Sequence, residues 1–308
     1  MTSALQAFAD RPRLTALAGA MCIAFSGIFF RYSGVSPSTA TVFRCLYALP
    51  FLYLLARGED RTNGSRSGRV RLICLVAGAF FASDLVLYHH GVEEVGAGLG
   101  TVIPNLQVVL VAIAGWLFLG ERPDRRTWLA LPIVAAGALL VSGLLEHGAY
   151  GRDAALGVAF GLGAGTSYAG YLLVIRQVNR DARRPFGVLL DASAGCVVVA
   201  AIIGLAGGDL DLVPVFPAHG WLIALAFVSQ VVGYGLINVS LPRLPAVLTS
   251  LLLLAQPVAT LVLGGVLLAE APSAIQIGGV TLILGGVVIA AARRSSASIM
   301  PSGVVEPA

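Results

Sequence analysis

The chain has 308 residues, 57% of them hydrophobic and 12% charged, with 37 glycines and a formal net charge of +4. Together with a mean hydropathy of +0.87, this composition excludes an ordinary soluble domain and places the chain in the membrane class. All 20 Lys+Arg residues are arginines, scattered in short clusters between apolar runs, so there is no basic domain to hold a nucleic-acid backbone.

Arg11 and Arg13 precede a first apolar run long enough to cross a bilayer, which predicts a retained helix rather than a cleaved leader. Runs of bilayer length predict spans at about 14–33, 38–56, 72–91, 96–119, 127–144, 154–175, 186–205, 219–239, 244–268 and 273–292. The expected fold is therefore all-α, a polytopic membrane protein with ten transmembrane helices. With the N-terminus inside, the inner segments carry seventeen arginines and the outer ones only Arg31 and Arg152. This is the bias that cytoplasmic loops show, so both termini are expected in the cytoplasm: residues 1–13 as the N-terminus and 293–308 as a short, disordered tail. Cys22, Cys45, Cys74 and Cys196 sit in apolar runs without CxxC spacing and read as packing residues; neither a disulfide nor a metal is expected. The sequence has no HExxH, no GxSxG and no P-loop, which argues against an enzyme or an ATP-driven pump, and no cofactor is expected.

Displaced by 149 residues, the sequence matches itself. Ala97, Leu99, Gln107, Val109, Gly115, Leu119, Glu121, Pro123 and Gly137 meet identical residues at Ala246, Leu248, Gln256, Val258, Gly264, Leu268, Glu270, Pro272 and Gly286. The clearest echo is "LGERP" (119–123) against "LAEAP" (268–272). The repeating unit holds five spans, an odd number, so its second copy must run through the membrane the other way up. Inverted repeats of this kind place a substrate site near the midplane between the halves.

Three stretches, "TVFRCLYALPFLYLLA" (41–56), the segment from 91 to 141 and "RLPAVLTSLLLLAQPVATLVLGGVLLAEAPSAIQIGGVTLILGGVVI" (243–289), resemble the two EamA repeats of the drug/metabolite transporter superfamily over nearly the whole chain. The resemblance implies a first repeat at 14–145, a periplasmic linker at 146–153 and a second repeat at 154–292, around a central cavity. It also implies export or exchange of small metabolites across the bacterial inner membrane. Overall similarity is greatest to amino-acid exporters, including the aromatic amino-acid type. Efflux of aromatic or cationic drugs and a channel-like facilitator are the alternatives. The expected partners are a small-molecule substrate and the lipid bilayer, with the protein working as a monomer.

A charge at the centre of a span costs about 2.5–3.5 kcal/mol on insertion scales, so Arg44 in the second span and Asp84 in the third are gating or coupling candidates. At 1.5 Å per residue both lie roughly 10 Å below the outer surface, where they can pair with each other or serve a zwitterionic substrate. The resemblance implies an architectural role for Arg44, since an arginine often stands there in the second helix of the family. Gln230, Tyr234 and Asn238 recur at i, i+4 and i+8 on the eighth span, and Phe80, Asp84 and Tyr88 do so on the third, where His89 is repeat-equivalent to Asn238. Such stripes either face a cavity or bond helix to helix. His89 and His90 also offer groups that titrate near neutrality.

Tyr168 and Tyr171 can stack on a flat substrate or simply pack, and Trp116 lies deeper than an interfacial belt residue. Pro104 and Pro257 are hinge candidates, with the amides of Asn105 and Gln256 beside them. Gly157, Gly161 and Gly165 form a doubled GxxxG that predicts a close helix contact. Asp191 reads as interfacial or as part of an inner gate. Glu121 and Glu270 read as structural acids that favour the dipole of the helix following each.

Overall fold

The structure, a computed structural model, describes residues 11–106, 125–142, 144–145, 149–178, 184–240, 252–253 and 255–291, and among these every regular element is helical. Proline and small hydroxyl residues start the helices. Helix α1 (Pro12–Ala24) opens on proline, and α2 (Ser26–Ser33) continues it to a left-handed Gly34. Helix α3 (Pro37–Asn63) is capped by Ser36, which accepts from Thr39 N at 3.4 Å; α4 (Gly68–Val102) is capped by Ser67, which accepts from Val70 N at 3.3 Å. A 3₁₀ turn, Ile103–Leu106, follows.

The chain continues with α5 (Arg125–Val141), α6 (Ala154–Val178) and α7 (Pro185–Gly207), then α8 (Ala218–Ala224), a π-helical segment (Leu225–Gly233) and α9 (Tyr234–Ser240). Helices α10 (Ala255–Leu268) and α11 (Ala274–Ala291) complete it. Among the described residues, five segments are long and apolar enough to cross a membrane: Pro12–Ser33, Pro37–Asn63, Gly68–Leu106, Pro185–Gly207 and Ala218–Ser240. Three shorter apolar helices accompany them, Trp128–Val141, Ala255–Leu268 and Ala274–Ile289. The remainder of the expected fourth span and the expected tail lie outside the described residues.

Two elements differ from the sequence expectation. The third and fourth spans are not parted by a loop: α4 runs on across a single break at Gly96 (φ 83°, ψ 169°), a conformation in which a Cβ is strained. The eighth span is not a uniform α-helix, and its π-helical stretch changes the register at which side chains share a face.

Packing follows the doubled sequence. The main helix pairs are α4 with α6, α5 with α11, α3 with α7, α4 with α7, and α1 with the π segment and α9. Numbered by the ten spans expected from sequence, the pairs 3·6 and 1·8 exchange with one another, and 5·10 and 2·7 map onto themselves, when the halves are exchanged. Glycines bring these helices together. A Cβ on Gly78 would stand 2.5 Å from Ala192 O and 2.7 Å from Cys196 N, so α4 and α7 meet backbone to backbone. Gly157 and Gly161 make the close contact their spacing predicts, against Val95 and Ile103.

At each end of the bundle a glutamate from one half caps a helix start in the other. Glu59, near the end of α3, accepts from Phe186 N at 3.1 Å and Gly187 N at 2.8 Å, the first turn of α7. Beside it Arg66 bridges Asp60 and Asp191, which places Asp191 in an ion pair. At the opposite end α10 stops at Ala269, whose positive φ of 54° lets Glu270 N donate back to Gly264 O at 3.2 Å. This reversal aims the Glu270 carboxylate at Ala97 N (2.6 Å) and Gly98 N (2.9 Å), the helix start just beyond the Gly96 break.

Glu270 was expected to serve the helix that follows it. That helix, α11, is instead capped by its own Ser273/Gln276 box, with Gln276 N donating to Ser273 Oγ at 3.1 Å and Ser273 N to Gln276 Oε1 at 3.0 Å. Gln276 also holds the linker, accepting from Tyr150 N at 2.8 Å and donating to Tyr150 O at 2.9 Å. Glu94 ties the same segment down by accepting from Arg152 Nε at 2.9 Å.

Two stability outcomes follow from this packing, both read as thermal midpoints of the purified protein in detergent. Gly78→Ala is expected to destabilise by about 1–3 kcal/mol through overpacking against backbone, whereas Gly285→Ala, with nothing within 4 Å of the new Cβ, is expected to be neutral. Equal midpoints for the two would contradict the close crossing. Glu270→Ala, which strips a charged acceptor from two buried amides, is expected to cost about 1.5–3 kcal/mol or more, and Glu270→Gln less; no loss in either would show that the cap is not formed.

Candidate functional site

A cavity of about 100 Å³ lies between the halves of the sequence. Its charged wall comes from α3 and α4. Arg44, 1% exposed, is the largest fully buried side chain among the described residues. A guanidinium so placed must have its donors met by dipoles. Its Nε donates to Gln230 Oε1 at 3.0 Å and its Nη1 to Ser26 Oγ at 2.8 Å. Gln230 in turn donates to Ser193 Oγ at 3.1 Å, and the guanidinium carbon lies 5.8 Å from the centre of the Tyr234 ring. Five helical segments, α2, α3, α7, the π segment and α9, therefore converge on one charge.

Asp84 lines the same cavity and is 6% exposed. The direct pair that sequence spacing allows is not formed, because Arg44 turns its fork toward Gln230 and Ser26. A second polar group surrounds the Gly96 break. Thr101 gives its one hydroxyl hydrogen to Ala97 O at 2.8 Å, so Tyr88 must be the donor in its 3.1 Å contact with Thr101 Oγ1. Asn105 donates to Thr101 O at 2.8 Å from the 3₁₀ turn that also holds Pro104. The opposite wall is from the second half: Tyr168, Tyr234, Ile237, Leu253 and Gln256.

Of the residues singled out from sequence, Arg44, Asp84, Tyr88, Pro104, Asn105, Tyr168, Tyr234 and Gln256 line this cavity. Gln230, His89, Tyr171, Asn238 and Pro257 are not among its lining residues. Gln230 stands behind Arg44 as its positioning partner. His89 is fully buried against Phe30, with ring centroids 4.4 Å apart. Thr41 Oγ1 spends its hydrogen on Pro37 O at 2.9 Å, so His89 Nδ1 carries the hydrogen in their 3.0 Å contact, and its Nε2 is buried without a partner among the described residues.

Tyr171 is core, stacked on Phe81 at 5.0 Å. Ile237, three residues on from Tyr234 in α9, lines the cavity, while Asn238 is half-buried outside it. Pro257 lies in α10, with the helical residues Leu252 and Leu253 on its N-terminal side, and is buried. Phe80, the first member of the third-span stripe, is 41% exposed. Trp116 lies outside the described residues. Sequence reasoning missed Ser26 and Thr101. Their only signal was a hydroxyl inside an apolar run, and such residues commonly bond their own helix backbone.

Comparison with known proteins accords with this arrangement. Residues 12–143 and 155–292 each match the EamA-like transporter family. The uncharacterized transporter YwfM of Bacillus subtilis is 28% identical over 213 residues, covering 68% of this chain and 69% of that protein. The pseudopaline exporter CntI of Pseudomonas aeruginosa is 27% identical over 198 residues, covering 64% of this chain and 66% of that one. A solved crystal structure superposes with a TM-score of 0.59 at 18% identity, covering 91% of this chain and 96% of its own, which is a likeness of fold. Matched in both halves, and with apolar helices long enough to span a bilayer, the chain is an integral membrane protein that belongs to the EamA-like transporter family.

Proposed function

We propose that the protein is a secondary transporter that exports or exchanges small metabolites, amino acids above all and aromatic ones among them, by alternating access. In this reading it has ten spans in two inverted five-helix repeats (14–145 and 154–292) joined by a periplasmic linker. It lies in the bacterial inner membrane with both termini cytoplasmic and works as a monomer. The observation that carries the reading is the cavity itself, lined by side chains from both halves, with a buried arginine and carboxylate in its wall. A site shared between inverted repeats is the arrangement that rocking of one half against the other exposes to each side in turn. Pro104, in the 3₁₀ turn beside the cavity, is placed to act as a hinge.

Several observations favour a small polar solute over a drug. Drug-sized ligands occupy pockets of roughly 300–1,000 Å³, several times the volume found here. The wall also carries hydroxyl and amide groups, Ser26, Tyr88, Thr101, Asn105 and Gln256, at a density suited to a hydrogen-bonding solute. The name of the Pseudomonas aeruginosa relative, a pseudopaline exporter, agrees with outward movement of the substrate.

Counterflow separates an exchanger from a channel. Proteoliposomes preloaded with unlabelled amino acids are expected to take up the labelled amino acid several-fold faster than empty ones; equal rates would contradict alternating access. In the same assay Pro104→Ala is expected to slow exchange while leaving the thermal midpoint near that of the native protein, and an unchanged rate would remove the hinge from the mechanism.

A further inference from the structure

The cavity contains one carboxylate and one guanidinium that do not meet, and each keeps bonding capacity in reserve. Asp84 is 6% exposed and lines the cavity, yet its carboxylate accepts no hydrogen bond from any described residue. Burial of an unpaired carboxylate is among the least favourable arrangements in a protein interior, and more so inside a membrane, unless something arrives to complete it. Arg44 is committed on one side only. Nε and Nη1 are spent on Gln230 and Ser26, and Nη2 has no acceptor among the described residues.

The Gln230–Ser193 bond holds Gln230 in place and so fixes the guanidinium, which cannot swing to Asp84 without giving up its bonds to Gln230 and Ser26. Among the described residues the other polar groups of the cavity wall are neutral: the hydroxyls of Ser26, Tyr88, Thr101, Tyr168 and Tyr234 and the amides of Asn105 and Gln256. His89, the nearest titratable ring in sequence, is turned away against Phe30 and Thr41.

We propose that these two groups form a divided receptor for a zwitterion, in which Asp84 accepts the ammonium group and Arg44 Nη2 donates to the carboxylate of a small amino acid. The inference rests on the transporter reading and names the end of the substrate that each wall takes. Held apart by Gln230 and Ser26, the two charges are complementary to a solute that carries both signs. A neutral or singly charged solute leaves one of them buried and bare, so discrimination against it is built into the site. Gln230 acts as a positioning residue, through Arg44.

The test is binding to the purified full-length protein, read by thermal shift with L-alanine, L-threonine and L-phenylalanine and with the amide and N-acetyl derivatives of each. Stabilisation is expected with at least one of the three amino acids, and neither of its derivatives, which lack the carboxylate or the ammonium, is expected to bind within ten-fold of it. Asp84→Asn is expected to weaken the amino acid at least ten-fold while narrowing its advantage over the N-acetyl derivative. Arg44→Gln is expected to narrow the advantage over the amide.

Because the derivative comparison uses the native protein, it stands even if a variant fails to fold. The proposal is overturned if the N-acetyl or amide form binds as well as its parent, if Asp84→Asn keeps native affinity, or if none of the three amino acids binds. Proteoliposome uptake of a panel of organic cations and sugars separates the two levels. Uptake of one of these without amino-acid binding overturns the zwitterion site and leaves transport standing, and no uptake of anything overturns both.

Discussion

A positive charge that cannot leave the interior organises this molecule. Arg44 is sealed at 1% exposure inside an apolar bundle, and among the described residues no carboxylate pairs with it directly. Its bonds reach Ser26 on α2 and Gln230 on the π segment, and Gln230 reaches Ser193 on α7. Each partner gives a dipole where a free ion would demand a counter-ion, which leaves Asp84 uncommitted. The position of the cavity, the polarity of its wall and the meeting of both halves there all follow from satisfying one guanidinium.

The halves are joined by two other devices with opposite mechanical character. Backbone contacts at Gly78 and Gly195 set a crossing of α4 and α7 that leaves no room for side chains to intervene. The carboxylates of Glu59 and Glu270, by contrast, are end caps that cross from one half to the other, each on two amides of a foreign helix start. Hydrogen bonds of this kind can be made and broken as units, whereas interlocked backbones slide or pivot. The bundle is thus pinned at both ends by caps that cross between the halves and is packed backbone to backbone between them.

Much of the helical order was legible from hydropathy alone, because membrane spans announce themselves by length and apolarity. The doubled pattern was legible because polar and proline residues such as Glu270 and Pro272 recur at a fixed displacement. Hidden features were those decided by backbone detail. Gly96 was one glycine among 37, and nothing in its neighbours marks it as the residue at which α4 breaks rather than loops. The π-helical stretch is invisible to an argument that assumes 3.6 residues per turn, and spacing by four placed Asn238 on a face that Ile237 occupies. The ionisable residues of the spans, Arg44 and Asp84, both line the cavity. Their division, with Arg44 turned to Gln230, depends on tertiary contacts between residues 186 apart.

The meaning of the repeated Glu-Pro joint changes accordingly. Spacing made Glu270 look like an acid for the helix ahead of it, yet the left-handed Ala269 turns its carboxylate back across the molecule to Ala97 and Gly98. The joint ends one helix while starting another in the opposite half, which is how a duplicated unit comes to behave as one body.

That Arg44 and Asp84 form the two poles of a single binding site is best tested by electron cryo-microscopy of the full-length protein in lipid nanodiscs with a saturating amino acid. Density for the amino acid is expected between the two walls, its carboxylate within hydrogen-bond distance of Arg44 and its ammonium within hydrogen-bond distance of Asp84. Density seated elsewhere, or a direct Arg44–Asp84 ion pair closing the cavity in the bound state, would contradict it.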